Sequence, residues 1–127
     1  MDDLPRAMSL HVITERVALP SYRKSVLSLL RQLRTEKMSW PGCLPGVIWQ
    51  DASNENRIFT LDTWQTIGHY RDFHQTTATR MLVEELEVLL EKPSSIQLAK
   101  DVPIEDFPPR IPIHPTGSIP KLGSSPT

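Results

Sequence analysis

The sequence predicts an α+β fold in which two helices cover one face of a four-stranded antiparallel sheet. The first observation is the order of the elements, because strand-like and helix-like segments follow one another as β-α-β-β-α-β. The second is a cluster of turn-forming residues at 52–56, which is typical of a hairpin between the second and third strands. This order and pairing are those of the ferredoxin-like arrangement.

The first half of the fold follows from local composition. Residues 10–19 are rich in β-branched and apolar side chains and end at Pro20, as expected for a strand. Ser21 is predicted to cap the next helix, because its hydroxyl can accept a hydrogen bond from the first helical turn. That helix is predicted to run to about Met38, before Pro41-Gly42, and its apolar residues recur at helical spacing: Tyr22, Val26, Leu29, Leu30 and Leu33.

The second half contains two more strands, a broken helix and a last strand. Residues 44–51 and 57–64 are the predicted hairpin strands. Thr66 is predicted to cap the following helix, and Gln75-Thr76-Thr77 to bend or break it. Lys92-Pro93 ends the helix, because the residue before a proline disfavours helical backbone. Residues 95–101 form the last strand.

The chain divides into one domain and two flanking segments. With 127 residues it is long enough for a single core. We assign residues 1–8 to an N-terminal extension, 9–102 to the domain and 103–127 to a proline-rich arm. Seven of the 12 prolines follow residue 102, which predicts an extended segment without helix or central strand. Two alternatives remain open, a disordered arm and an arm that lies over a partner subunit; its isoleucines and Phe107 favour partial docking.

Composition excludes several classes of function. The 14 Lys and Arg nearly balance the 15 Asp and Glu, so we expect no nucleic-acid partner. No apolar run is long enough to span a membrane, and the first residues do not resemble a signal peptide, so a cytoplasmic protein is expected. The single cysteine, Cys43, permits no internal disulfide, and the scattered histidines predict no metal site.

The sheet face that points away from the helices does not have the residue pattern of a solvated face. In the third strand Phe59 and Leu61 share one side, whereas Ile58 and Trp64 share the other. A sheet with one wet face would instead alternate apolar and charged residues clearly. The pattern therefore predicts a homodimer in which the uncovered sheet faces pack together.

Four short features of the sequence resemble the antibiotic biosynthesis monooxygenase family of dimeric α+β barrel proteins. The resemblance covers roughly residues 8–101. Its matching features are the strand from His11 that leads through Pro20 into a helix, Pro41-Gly42-Cys43 before the second strand, Leu61-Asp62-Thr63-Trp64-Gln65-Thr66 at the end of the third strand, and His74 ten residues beyond Trp64.

The resemblance implies a homodimer with a pocket between each sheet and its helices. Some members of the family oxidise polycyclic aromatic compounds with dioxygen and no metal or flavin, since the substrate supplies the electrons; no cofactor is therefore expected. Others degrade haem or isomerise small molecules. The haem-degrading branch uses an Asn in the first strand and a Trp and a His on the second helix. Here the first strand offers Glu15 but no Asn, and the second helix has no Trp, which argues against that branch.

Tyr70 and His74 are the first candidate site residues, because a spacing of four places them on the same face of a helix. With Arg71 beside them, they are suited to binding an acidic phenol or to positioning oxygen. His74 is the candidate catalytic base, since the pKa of an imidazole lies near working pH. The alternative is structural, with Tyr70 in the core and His74 half exposed.

Trp49, Trp64 and Glu15 complete the predicted substrate-binding set. Either tryptophan can stack on a flat ligand, or can serve as a core or interface aromatic. Glu15 is a carboxylate inside the predicted barrel, and the structural alternative is an ion pair with an arginine at its rim.

Two functions remain open from sequence. One is a cofactor-independent monooxygenase-like enzyme acting on a small aromatic or polyketide-like substrate. The other is a non-catalytic dimeric module of the same fold that binds a small ligand or serves in assembly. The residues alone do not decide whether a reaction is catalysed.

Overall fold

A computed structural model describes residues 9–102 of the chain. The predicted N-terminal extension, 1–8, and the predicted arm, 103–127, lie outside the described residues. No helix in the described part is long and apolar enough to cross a membrane.

The domain is a four-stranded antiparallel sheet with helices on one face, as predicted. The sheet order is β2-β3-β1-β4, the order of a ferredoxin-like fold. The elements in chain order are β1 (Leu10–Val17), α1 (Arg23–Met38), β2 (Cys43–Asp51), β3 (Asn54–Trp64), α2 (Ile67–Gln75), α3 (Thr77–Glu87) and β4 (Ser95–Lys100).

Threonine caps explain the break between α2 and α3. The Thr66 side chain accepts a hydrogen bond from the backbone N–H of His69, which starts α2 as predicted. Thr76 has extended backbone and its hydroxyl accepts from the N–H of Thr79, so it ends α2 and starts α3. The predicted interruption of the second helix is confirmed.

The start of α1 differs from the prediction. Pro20–Tyr22 forms a short 3₁₀ helix, and Tyr22 then occupies the N-cap position of α1 without a side-chain cap. The prediction of Ser21 as the cap is therefore wrong. Proline is favoured in the first helical turn, and here it begins the tighter turn before Ser21 can cap anything.

A β-bulge near the start of β2 shifts its pairing register with β3 by one residue. Leu44 pairs with Thr63, whereas Val47 pairs with Leu61, so an extra residue lies between the two pairs. Leu44 thereby shares a sheet face with Val47. Gly46 lies in the bulge, where an added Cβ would come within 1.6 Å of the Leu61 carbonyl oxygen. Only glycine permits this close approach of the two backbones.

The hydrophobic core lies between the sheet and the helices. Phe73 contacts Trp40 and Trp64, with ring centroids 5.4 Å apart in each pair. The largest fully buried apolar side chains are Trp64, Phe73, Leu33, Ile58, Leu86 and Val26. We call the opposite side the open face. There Leu44, Val47 and Trp49 are all exposed large apolar residues.

Candidate functional site

A cavity of about 80 Å³ lies between the sheet and the helices. It is unusual for its polar lining, because the surrounding core is apolar. Side chains from β1, α1, β3 and α2 converge there. The polar and charged members of the lining are Thr14, Arg16, Lys37, Asp62, Tyr70, His74 and Ser94.

Strand alternation explains how charged residues reach this cavity. Thr14 and Arg16 point to the same side of β1 as the buried Val12, and Asp62 lies opposite Val12 on β3. Lys37 continues the buried stripe of α1 in the last turn of the helix. All four polar side chains are therefore directed into the interior by the elements that carry them.

Lys37 and Asp62 form a buried ion pair. The distance from Lys37 Nζ to Asp62 Oδ2 is 2.5 Å, and the two side chains are only 8% and 9% exposed. A buried ion pair offsets its own desolvation cost only when both partners are present. The pair ties the end of α1 to β3 and places a carboxylate and an ammonium group at the cavity wall.

Arg16 is the second buried cation at the cavity. Its Nη1 lies 3.5 Å from Thr60 Oγ1, but its Nε has no hydrogen-bond partner among the described residues. Burial lowers the pKa of Arg16, whereas the negative charges of Glu87 and Asp62 raise it. A buried N–H without a partner is costly, so this atom is suited to a ligand or an ordered water.

Tyr70 and His74 form the aromatic wall of the cavity. Their ring centroids are 4.5 Å apart, one turn apart on α2. Burial, with the nearby positive charge of Lys37, lowers the pKa of His74 to about 4, and burial raises the pKa of Tyr70. At neutral pH the imidazole is therefore uncharged and a weak base, and the phenol is protonated.

Trp64 and Arg71 lie close to this group in sequence but outside the cavity. Trp64 is 1% exposed and packs edge-to-face against Tyr70, with ring centroids 5.7 Å apart. Its Nε1 has no partner among the described residues. Arg71 is exposed on α2 and does not line the cavity. Trp64 thus supports the aromatic wall from behind.

Trp49 and Glu15 lie on the other side of the sheet. Trp49 is half exposed on the open face. Glu15 accepts a hydrogen bond from Arg57 Nε at 2.6 Å, and Arg57 also donates to Asp51 at 3.2 Å. The Arg57 guanidinium also lies 4.9 Å from the centre of the Phe59 ring. The structure therefore brings Tyr70 and His74 together and separates both from Trp49 and Glu15.

Sequence reasoning missed Arg16 and Lys37 as site residues, and it left Asp62 out of the predicted site. A signal was present for each. Arg16 alternates with apolar core positions in β1, and Lys37 falls four residues after the buried Leu33 in α1. A charge at a position where the pattern requires an apolar residue is a candidate site residue.

The described residues contain no group of three or more His, Cys, Asp or Glu that could hold a metal ion. Burial, reinforced by the charge of Asp62, raises the pKa of the Cys43 thiol to about 11. The thiol is therefore protonated at neutral pH and is a poor nucleophile.

Solved structures share this architecture. A conserved protein from Methanosarcina mazei Go1 matches with a TM-score of 0.72 and 16% identity, over 76% of this chain and 96% of that one. A protein named antibiotic biosynthesis monooxygenase matches with a TM-score of 0.69 and 21% identity, over 74% and 99%. PA3566 from Pseudomonas aeruginosa matches with a TM-score of 0.69 and 18% identity, over 78% and 99%.

Comparison with protein-family models and with curated proteins finds no match. Identities this low establish the fold and not the activity. The similarity predicted from these sequence features is confirmed at the level of the fold: this chain has the α+β fold of structures named antibiotic biosynthesis monooxygenase.

Proposed function

We propose that the protein binds a small hydroxyaromatic compound in the cavity between sheet and helices and oxygenates it with dioxygen, without a metal or flavin. The observation that carries this proposal is the convergence of Tyr70 and His74 with the buried guanidinium of Arg16, whose Nε has no partner in the described part of the chain. Such a site offers an aromatic wall, a neutral imidazole and a positive charge to one ligand.

The proposed reaction begins with ionisation of the substrate hydroxyl. A phenolate is electron-rich and donates electrons to dioxygen. One oxygen atom is then added to the ring carbon opposite the hydroxyl, and the other leaves as water with the ring hydrogen and the hydroxyl proton. The product is a quinone, so that the substrate itself supplies all four electrons that reduce dioxygen.

Arg16 is proposed to make the ionisation possible, because His74 alone is too weak a base. A phenol has a pKa of about 10, whereas that of His74 is about 4. The gap of roughly six pKa units corresponds to about 8 kcal/mol for proton transfer. A guanidinium hydrogen-bonded to the phenolate lowers this cost, and the bound anion raises the pKa of His74 in turn. Tyr70 would pack against the ring.

Cavity size favours the small aromatic over the polyketide-like substrate. The volume is about 80 Å³, whereas an engineered cavity that binds benzene has about 150 Å³ and ligand pockets typically exceed about 300 Å³. A single ring would require a shift of the side chains at the β4 side of the cavity, where Ile96 is half exposed.

We further propose a homodimer formed through the open face. Its support is the set of exposed apolar side chains there, because contact with water is unfavourable by about 25 cal/mol per Å² of apolar surface. The dimer would cover Trp49 and the ion network of Glu15, and would leave the cavity on the opposite side of each sheet.

Oxygen consumption tests the proposed activity. The purified protein is incubated with phenol, resorcinol and 1-naphthol in an oxygen electrode, and the quinone is followed by absorbance. We expect uptake with at least one single-ring compound and a loss of at least about tenfold in Arg16→Gln and His74→Gln. Arg31→Gln, a matched change on the exposed side of α1, should retain the wild-type rate. No uptake with any compound would overturn the oxygenase proposal.

The second candidate is a binding module without catalysis. Two observations favour it: the cavity is small, and His74 is a weak base. This function predicts that resorcinol binds and is released unchanged, and that Arg16→Gln weakens binding without any oxygen uptake in the wild type. Calorimetric titration together with the oxygen electrode separates the two functions.

A further inference from the structure

The buried guanidinium of Arg16 has one edge without hydrogen-bond partners. Its Nη1 contacts Thr60 Oγ1 at 3.5 Å, whereas its Nε has no partner among the described residues. Nη2 likewise forms no hydrogen bond within the part of the chain that the structure describes. The N–H groups of Nε and Nη2 lie side by side on one edge of the planar guanidinium. Such an edge pairs with both oxygens of a carboxylate or a similar oxyanion.

The cavity lining carries more positive than negative charge. Arg16 and Lys37 are its cations, and Asp62 is the one carboxylate among the described residues that line it. Asp62 is already paired with Lys37 at 2.5 Å. His74 and Tyr70 are uncharged at neutral pH, because burial lowers the pKa of the imidazole and raises that of the phenol. Two cations therefore face one carboxylate, and the positive charge of Arg16 is left over.

Glu87 of α3 does not neutralise Arg16 by contact. Its negative charge raises the pKa of Arg16, but the ion pairs among residues 9–102 include none between Arg16 and a carboxylate. Glu87 Oε1 instead accepts a hydrogen bond from the backbone N–H of Ser94 at 3.3 Å. A buried cation without a partner in contact is costly. A water molecule can accept from Nε, but only an anion also supplies the missing charge.

The size of the cavity limits the anion to a few atoms. Its volume is about 80 Å³, which is room for roughly two to three water molecules at about 30 Å³ each. A planar anion of three or four non-hydrogen atoms fits this volume without any shift of the side chains. A single aromatic ring does not, since a cavity that binds benzene has about 150 Å³.

We propose that the cavity binds a small planar oxyanion, of the class of formate, bicarbonate and nitrate, on the Nε–Nη2 edge of Arg16. Two oxygens of the anion accept the two free N–H groups, which a phenolate with its single oxygen cannot do. The hydroxyaromatic compound proposed above would use the same guanidinium, so the small anion would compete with it. The anion site itself does not depend on the oxygenase reaction.

Urea denaturation in matched sodium salts at neutral pH tests this site. Formate fits the cavity, whereas gluconate, a much larger carboxylate, does not. If the dissociation constant is about 10 mM, about 0.1 M formate should lower the equilibrium constant of unfolding about tenfold relative to gluconate. Arg16→Met removes the guanidinium but keeps an apolar side chain of similar reach, and it should abolish this difference. Arg31→Met, at an exposed position of α1, should retain it.

The titration of His74 in the wild-type protein gives a second readout, by proton NMR of the imidazole. The pKa of His74 is about 4, because burial and the charges of Lys37 and Arg16 lower it more than Asp62 raises it. Tyr70, from the same helix, faces the ring as an uncharged phenol. An anion on Arg16 offsets one of the positive charges. Nitrate stays ionised at pH 4, so it should raise the pKa of His74 by about half a pH unit or more, and bulky camphorsulfonate should not.

The salts and variants separate the possible occupants. Equal stability in formate and gluconate overturns the proposal, because only water then occupies the free edge. A formate effect that persists in Arg16→Met places the anion elsewhere and overturns it too. Chloride as effective as formate would show that two oxygens are not recognised, so the oxyanion assignment would be wrong. If Arg16→Met does not fold, the response of His74 to nitrate decides. All of these readouts report binding, so a failure to consume oxygen leaves them unaffected.

Discussion

Glu15 and Arg16 are neighbours in β1, yet they lie in opposite environments. Glu15 is on the open face, where it belongs to a partly exposed ion network with Arg57 and Asp51. Arg16 is 7% exposed beside the ion pair of Lys37 and Asp62. Both sheet faces thus carry charged groups. Those on the open face are partly exposed to water, whereas those on the helix side are buried in the core. Burial, and not residue type, makes the helix side the candidate site.

The apolar residues differ between the faces in the same way. Trp64 is 1% exposed on the helix side, whereas Trp49 on the open face is 50% exposed. The first tryptophan completes a core within one chain, and the second offers a surface to another molecule. The comparison predicts that substitutions on the helix side affect stability and ligand binding, whereas those on the open face affect assembly.

The largest effect is expected on removing Asp62. Asp62→Ala leaves Lys37 and Arg16 buried without the carboxylate, which should lower the free energy of unfolding by about 3–5 kcal/mol. Urea denaturation measures the loss. The double variant Lys37→Met/Asp62→Leu should recover most of it, because neither charge then remains. A loss below about 1 kcal/mol in Asp62→Ala would mean that the ion pair behaves like a surface pair.

The next largest expected effect is a dependence of stability on pH, caused by the low pKa of His74. Its folded-state pKa is about 4, below the ordinary value of 6.5. Between pH 6.5 and pH 4 the unfolded chain therefore binds a proton at His74 that the folded chain does not bind. The free energy of unfolding is fully retained above pH 6.5 and falls as the pH falls toward 4. After allowance for partial exposure of the ring, we expect His74 to lower the free energy of unfolding by about 2 kcal/mol between pH 6.5 and pH 4.

Comparison with His74→Gln isolates this contribution from that of the carboxylates. The variant should lose less stability between pH 6.5 and pH 4 than the wild type, as measured by urea denaturation at a series of pH values. Parallel pH profiles for the two proteins would show that His74 titrates normally and is not desolvated.

Trp49→Ala is expected to act on assembly. If Trp49 anchors the proposed dimer, its removal should cost about 2 kcal/mol of association free energy, or about 30-fold in the dissociation constant. Sedimentation equilibrium measures this change. Tyr22→Ala is the matched control, since Tyr22 is a similarly exposed aromatic just before α1. An unchanged dissociation constant in Trp49→Ala, or a monomeric wild type, would contradict the role of the open face.

The smallest effect is expected for Arg57→Ala. Hydrogen bonds to Glu15 and Asp51 raise the pKa of Arg57, but the network lies in water and salt screens it. The shift in the urea midpoint should be far smaller than that of Asp62→Ala and should shrink further in high salt. A shift as large as that of Asp62→Ala would show that this network is buried, for example by a partner.

Local signals were sufficient to predict the fold. The element order, the cap at Thr66 and the break at residues 75–77 depend on short-range periodicity and on local side-chain preferences, which can be read from the sequence. The bulge at Leu44 and the 3₁₀ helix at Pro20–Tyr22 were missed. Both result from backbone adjustments between elements that no residue pattern encodes clearly.

The candidate site was only partly predictable. Tyr70 and His74 were identified together because helical spacing places them side by side. Lys37 and Asp62 are 25 residues apart on different elements, and their contact exists only after the helices pack on the sheet. Trp49 and Glu15 were grouped with the site from their residue types, but the pleat of the sheet directs them to the other face.

Calorimetric titration of resorcinol into matched arginine variants tests the central claim, that the helix side of the sheet holds the ligand. The account predicts that Arg16→Gln weakens binding at least about tenfold, whereas Arg57→Gln on the open face changes it less than about twofold. Equal affinities for wild type and Arg16→Gln, or a loss confined to Arg57→Gln, would contradict the claim.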